Sequence, residues 1–346
     1  MEMNNLRPRP AARRYDRDAA ETDRAPPKCM GAFAGITSLR SIRAPFSRKS
    51  GNRAKRRKTP WACSRFRNAA KNFTPNLSLE ASSRALKDSL RLATASPHGD
   101  SEHFESLLAA YEGRLQQSRQ ASMQAVTLAR QAHLLERAAL FEGAAAKREA
   151  LYGYPDESFR HAAAAGQLVQ GRDVDFPRAF ALALLRNSSA ALSLVTQLEK
   201  EYPEDTFVRF TYSPAVHALL SINQGRPSKA IELLTVSKVY ELGQTGVSLY
   251  AHYGALYPTY VRGLAYQQLH KNNEAAAEFQ RMLDHPGVLL ADPIGPAARL
   301  QLARALRDAG ETARARAVYR DLLALWRDAD PDIPLVQQAK AEFARL

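Results

Sequence analysis

Cysteine is nearly absent: the 346 residues hold two, Cys29 and Cys63, and neither has further cysteines or histidines nearby. That spacing excludes a disulfide framework and a thiolate zinc site and fits two unconnected thiols in a reducing compartment. Strand signals are equally scarce, because no alternating run of Val, Ile, Thr and aromatics stands between Asn-Gly or Asp-Gly turns. No stretch approaches the roughly 18 consecutive apolar residues of a membrane span. The short "CMGAFAGI" at 29–36 is too brief and too far from the start for a signal-peptide core. The expectation is a cytoplasmic chain, unsecreted and not in a membrane.

Catalytic signatures are missing too. None of "GxGxxG", "HRD" or "DFG" occurs, so a kinase glycine loop, catalytic loop and metal-binding aspartate are lacking. The phosphate-loop lookalike "GAFAGITS" has no lysine. The histidines His98, His103, His133, His161, His217, His252, His270 and His285 form no HExxH or comparable metal spacing and read as surface or half-buried helix residues. Asp328, Asp330 and Asp332 in "DADPD" suit a cap and turn before a last helix better than a calcium loop. The expectation is no enzyme, with no catalytic residue, cofactor or metal.

The charge of +14 is confined to one end. Residues 1–79 carry 19 of the 49 basic and 5 of the 35 acidic residues, leaving 30 of each sign for a neutral remainder. Residues 1–80 read as a basic, disordered tail with no helical or strand period. Three accounts of it stay open. It is an arm touching phosphate or acidic surfaces, centred on "KRRK" at 55–58; or a solvated linker; or GC-rich DNA read upstream of, or out of frame with, the real gene. Nucleic acid is a partner only through this tail.

From residue 99 the texture turns to Ala- and Leu-rich segments broken by short polar or Pro/Gly turns, which predicts helices. They repeat. In "YVRGLAYQQLHKNNEAAAEFQRMLDHPG" a small residue, a large one three later, a small one twelve on and an apolar one sixteen on are Gly263, Tyr266, Ala275 and Phe279. The same spacing gives Ala303, Leu306, Ala315 and Tyr319; Ala218, Ser221, Ala230 and Leu234; and Ala179, Leu182, Ala191 and Val195. Weaker copies are Lys147, Ala150, Phe159 and Ala163, and Ser106, Ala109, Ser118 and Ser122. Glycine costs a helix about 1 kcal/mol against alanine, so its use at Gly263 points to two helices pressed together. Pro203 and Pro286 stop second helices, and "HKNNE", "NQGRPS" and "RDAGET" turn the chain.

This pattern resembles the tetratricopeptide repeat, a helix–turn–helix unit of about 34 residues. The likeness covers residues 99–346. In "SKAIELLTVSKVYELG", "LYPTYVRGLAY", "EFQRMLDHPGVLLADPIGPAARLQLARAL" and "LWRDADPDIPLVQQAKAEFARL" the chain is similar to the C-terminal repeat region of acidobacterial serine/threonine kinases and winged-helix regulators. It departs from them in the insertion "GQTGVSLYAHYGA", in two degenerate first units and in lacking their N-terminal domain. The resemblance implies an all-α, right-handed superhelical solenoid of about six hairpins with a C-terminal capping helix. It also implies a non-enzymatic scaffold that binds a protein or peptide in its concave groove, in signalling or transcriptional regulation; the alternative is the detached regulatory half of such a kinase or regulator.

Groove-facing positions follow from the repeat register: Tyr260, Leu264 and Gln267; Leu300, Arg304 and Arg307; and Leu219. Arg304 and Arg307 suit a carboxylate clamp on a partner, or else a solvated face paired with Asp308 or Glu311. Tyr240, Tyr250, Tyr253, Tyr257 and Tyr260 cluster around the insertion, either packing an odd junction or forming an interaction patch.

Overall fold

The structure is a computed structural model that describes residues 98–243 and 256–346. The basic tail, both cysteines, His252, Tyr250 and Tyr253 lie outside the described residues. The described residues are all-helical, with no strand among them. Fourteen α-helices follow in order: α1 Asp100–Tyr111, α2 Leu115–Gln131, α3 Leu135–Tyr152, α4 Pro155–Leu168, α5 Arg172–Leu184, α6 Ser188–Glu201, α7 Ser213–Asn223, α8 Pro227–Leu233, α9 Tyr257–Gln268, α10 Asn272–Leu283, α11 Pro286–Leu289, α12 Ile294–Asp308, α13 Thr312–Leu325 and α14 Pro334–Phe343. A π-helical turn, Val208–Tyr212, leads into α7, and a 3-10 turn, Leu234–Ser237, follows α8.

Six hairpins, α1/α2, α3/α4, α5/α6, α7/α8, α9/α10 and α12/α13, pack in succession. First helices touch first helices from α3 to α5, α7 and α9, and the second helix α10 lies on α12. In five of the six hairpins the turn is the same local solution. The second residue after the first helix takes a left-handed conformation, as Gly225 and Gly310 do. Its amide bonds three residues back (Gly225 N to Ile222 O, 2.9 Å), and the next amide bonds five back (Arg226 N to Ser221 O, 2.9 Å). Arg186 and His270 occupy the same left-handed position without glycine's freedom. Side-chain amides then stitch unit to unit: Asn223 Nδ2 donates to Ala183 O at 2.7 Å and Asn272 Nδ2 to Asp308 O at 2.9 Å, satisfying end-of-helix carbonyls.

The repeat register is built into the core. Ala179, Ala191, Ala218, Ala230, Ala275, Phe279, Ala303, Ala315 and Tyr319 are all fully buried. Tyr266 is half-buried against the same core. At Gly263 an added Cβ would stand 2.6 Å from the ring of buried Phe279. Gly263→Ala is therefore expected to destabilise despite alanine's helix propensity, because overpacking at about 1–3 kcal/mol exceeds a propensity gain of about 1 kcal/mol. In a Phe279→Leu background the same change should cost less; equal chemical-denaturation midpoints for wild type and Gly263→Ala would refute the close-contact account.

One unit needs correction. Phe159 and Ala163, expected at packing positions, are exposed, whereas Ser158 and Ala162 one residue earlier are buried. Ser158 Oγ donates to Ala146 O at 2.8 Å, just as Ser118 Oγ donates to Ser106 O at 2.7 Å in the first unit. The register is Ala146, Glu149, Ser158 and Ala162, which moves Lys147 off the small-residue position.

The first and last hairpins also meet. Ala110, Leu115 and Tyr152 share one hydrophobic cluster with Leu300, Leu322, Trp326 and Val336. Trp326 Nε1 donates to Tyr111 O at 3.3 Å, and Asp330 N donates to Gly113 O at 3.0 Å. Asp330 Oδ2 accepts from Gln116 N at 2.7 Å, so this aspartate caps α2 from 214 residues away. The expected cap exists, on a different helix from the one it precedes.

Candidate functional site

Three of the groove candidates are enclosed. Leu219, Tyr260 and Leu300 are 3%, 4% and 0% exposed. They belong to the core, and their assignment to an open groove is corrected. The Tyr260 ring stands edge-on to Phe279 at 5.8 Å, and burial pushes its hydroxyl up to about 12. Leu264 is half-buried on the same core, and Gln267 Nε2 donates to Gln301 O at 3.2 Å.

Arg304 and Arg307 do grip a carboxylate, but it is the chain's own. Arg304 makes a two-armed contact with Glu342 of α14 (Nε to Oε2 2.9 Å, Nη2 to Oε1 2.6 Å) and reaches Gln338 at 2.9 Å. Arg307 lies 3.6 Å from Glu342 and donates to Asp308 at 2.7 Å. Tyr319 OH adds a 2.6 Å bond to Glu342. Burial would raise the Glu342 carboxyl, yet Arg304 and Tyr319 hold it below the usual range. Of the two acids expected beside the arginines, Asp308 pairs with Arg307, whereas Glu311 pairs with Arg314.

Three buried ionic clusters escaped sequence reasoning. Lys147 Nζ on α3 donates to Asp292 Oδ2 at 2.9 Å across to the α11–α12 connection, and Tyr257 OH bonds the same oxygen at 2.7 Å. Burial pulls the Lys147 ammonium down, with Asp292 opposing. Glu149 is fully buried between Arg148 (2.8 Å) and Arg119 (2.6 Å), and Arg148 also bonds Ser106 and Ser118 at 3.0 Å each. Burial would raise its carboxyl, but the two arginines hold it low. Arg262 lies buried between Glu241 and Glu278.

Histidines keep structural company. His103 stacks on Phe141 at 4.3 Å, His161 Nδ1 meets Glu142 at 2.5 Å, and His217 Nε2 meets Glu199 at 3.0 Å. His133 and His270 hold left-handed turn positions. No three His, Cys, Asp or Glu residues gather around a common metal position among the described residues. Nor is any helix among them long and apolar enough to cross a membrane.

A cleft of about 300 Å³ lies between the end of α6, the π-helical turn, the start of α7 and the 3-10 turn. Glu199, Tyr202, Pro203, Val208, Arg209, Phe210, Ser213 and Val236 line it, so it carries both a carboxylate and a guanidinium. Phe210 stacks on Tyr240 at 4.6 Å, and an apolar shoulder continues through Val236, Val239, Tyr240 and Leu242, which are 48%, 84%, 36% and 42% exposed. Of the tyrosines near the insertion, Tyr240 alone among the described ones stands on this surface; Tyr257 and Tyr260 are buried. Single π turns recur at functional positions, and hydrophobic periodicity does not encode them. No known protein family, curated protein or solved structure matches the chain.

Proposed function

We propose that the chain is a non-enzymatic protein-interaction scaffold built as a right-handed superhelix of the tetratricopeptide type. The hairpin register and the succession of first helices support the architecture. The partner-binding reading rests on one observation, the exposed apolar shoulder Val236, Val239, Tyr240 and Leu242 continuous with Phe210. Large apolar side chains grouped in the open are uncommon on a surface that needs no partner. The docking face is therefore this shoulder and not the positions Leu219, Tyr260 and Leu300, which are buried.

A photocrosslinking amino acid at Val239, introduced in the native host, should give one discrete adduct whose partner, once purified, binds the chain directly. Val239→Asp should weaken that binding by more than about tenfold, as loss of a central apolar contact does. Absence of a discrete adduct at Val239 and at Val236, with the protein folded, would sink the reading.

A further inference from the structure

In the last hairpin the groove-facing positions Leu300, Arg304 and Arg307 of α12 are met by the chain's own α14. Leu300 and Ala303 share a hydrophobic cluster with Val336 and Ala339 of that helix. Arg304 grips Glu342 with two arms (2.9 and 2.6 Å) and reaches Gln338, one turn earlier on the same helix face, at 2.9 Å. Tyr319 OH of α13 donates to Glu342 at 2.6 Å, and the Phe343 ring leans on the Tyr319 ring at 6.3 Å. An amphipathic helix of one protein lies in a groove of another in the same way, with an apolar stripe below and a charged anchor at its edge.

The apolar part of this hold is small. Only Val336 and Ala339 of the ten residues of α14 are buried, against ten of fifteen in α12. The segment before it is pinned separately: Ile333 is extended and fully buried, and Asp330 bonds Gly113 O and Gln116 N. The chain can therefore open from Pro334 onward while the first and last hairpins stay joined, because an element with few buried apolar contacts unfolds locally at less than the global cost. With α14 away, Arg304 keeps no carboxylate contact among the described residues and Arg307 keeps only Asp308. Two guanidiniums and the Tyr319 hydroxyl then stand against one acid, an excess of donors that suits a carboxylate.

We propose that α14 is an internal ligand that detaches on its own, and that the groove it uncovers on α12 and α13 takes an amphipathic helix of a protein partner, with a carboxylate at the place of Glu342 and small apolar side chains at those of Val336 and Ala339. This second surface goes beyond the shoulder around Val239 and is closed while α14 is docked.

In the full chain, α14 amides should exchange at least about tenfold faster than those of α12. Glu342→Lys, which sets a cation against Arg304 and Arg307, should strip α14 of its remaining protection while α12 keeps its own. An acetylated, dye-labelled peptide of residues 334–346 should then bind the Glu342→Lys chain at sub-millimolar concentration. Wild type should bind it at least about tenfold more weakly, because the tethered α14 competes at an effective concentration of about a millimolar. The peptide carrying Glu342→Lys, or the Glu342→Lys chain with Arg304→Gln added, should also give at least about tenfold weaker binding, as loss of a charge-assisted contact requires. The proposal is overturned if the peptide does not bind the Glu342→Lys chain, if the charge-reversed peptide or wild type binds equally well, or if wild-type α14 exchanges no faster than α12. That last measurement needs no variant to fold. A Val239 crosslink would stand in each of these cases, because the shoulder is built from other residues.

Discussion

Trp326→Ala is expected to loosen the first hairpin as much as the last. Trp326 is 1% exposed, touches Tyr152 with ring centroids 6.4 Å apart, and hydrogen-bonds the end of α1 through Tyr111 O. Removing a buried tryptophan costs about 3–5 kcal/mol. In an open solenoid each unit leans only on its neighbours, so the damage would stay within α12–α14. Here Ala110, Leu115 and Tyr152 share the cluster that Trp326 fills, and the Asp330 cap on α2 depends on the same segment staying docked. Amide exchange should therefore speed up in α1 and α2 together with α13 and α14. Faster exchange in α13 and α14 with unchanged protection in α2 would show that the ends do not act as one unit.

The difference between what the sequence made legible and what it hid follows the range of the interactions. Gly263 and Phe279, sixteen residues apart, and the left-handed turn at Gly310 are contacts within one hairpin, and periodicity reads such contacts directly. The register slip at Lys147 arose because an Ala-rich helix offers many small residues; the deciding signal was the serine pair, Ser106 with Ser118, matched by Ser158 against Ala146. Leu300 is enclosed where helices from opposite ends of the chain meet, whereas Leu219 and Tyr260 are enclosed in the central core, and no local pattern encodes either packing. Arg304 shows the same limit: its outward position was read, but its carboxylate, Glu342, comes from α14. The π-turn cleft was invisible for a different reason, since it depends on how α6 ends and α7 begins.

Arg262→Met should be among the most damaging single substitutions. The guanidinium is fully buried on α9, with Nε and Nη2 on Glu278 at 2.8 and 2.7 Å and Nη1 on Glu241 at 2.5 Å. Burial opposes its charge, but Glu278 and Glu241 outweigh that and hold its pKa above the ordinary arginine value. Arg262 and Glu278 each sit one residue before Gly263 and Phe279, so the ion pair runs alongside the hairpin's closest contact. Methionine fills much of the volume, so packing loss is secondary; the cost comes from Glu241, 0% exposed and left with only Arg281 at 3.2 Å. Breaking such a pair from one side costs about 3–5 kcal/mol, whereas replacing both partners with apolar groups is often near neutral. Arg262→Met/Glu241→Leu should therefore recover most of the stability lost in Arg262→Met, read as a denaturant midpoint moving back toward wild type. If the double variant were as unstable as the sum of its single changes, the buried carboxylate would not be the source of the loss, and the packing of α9 on α10 would be.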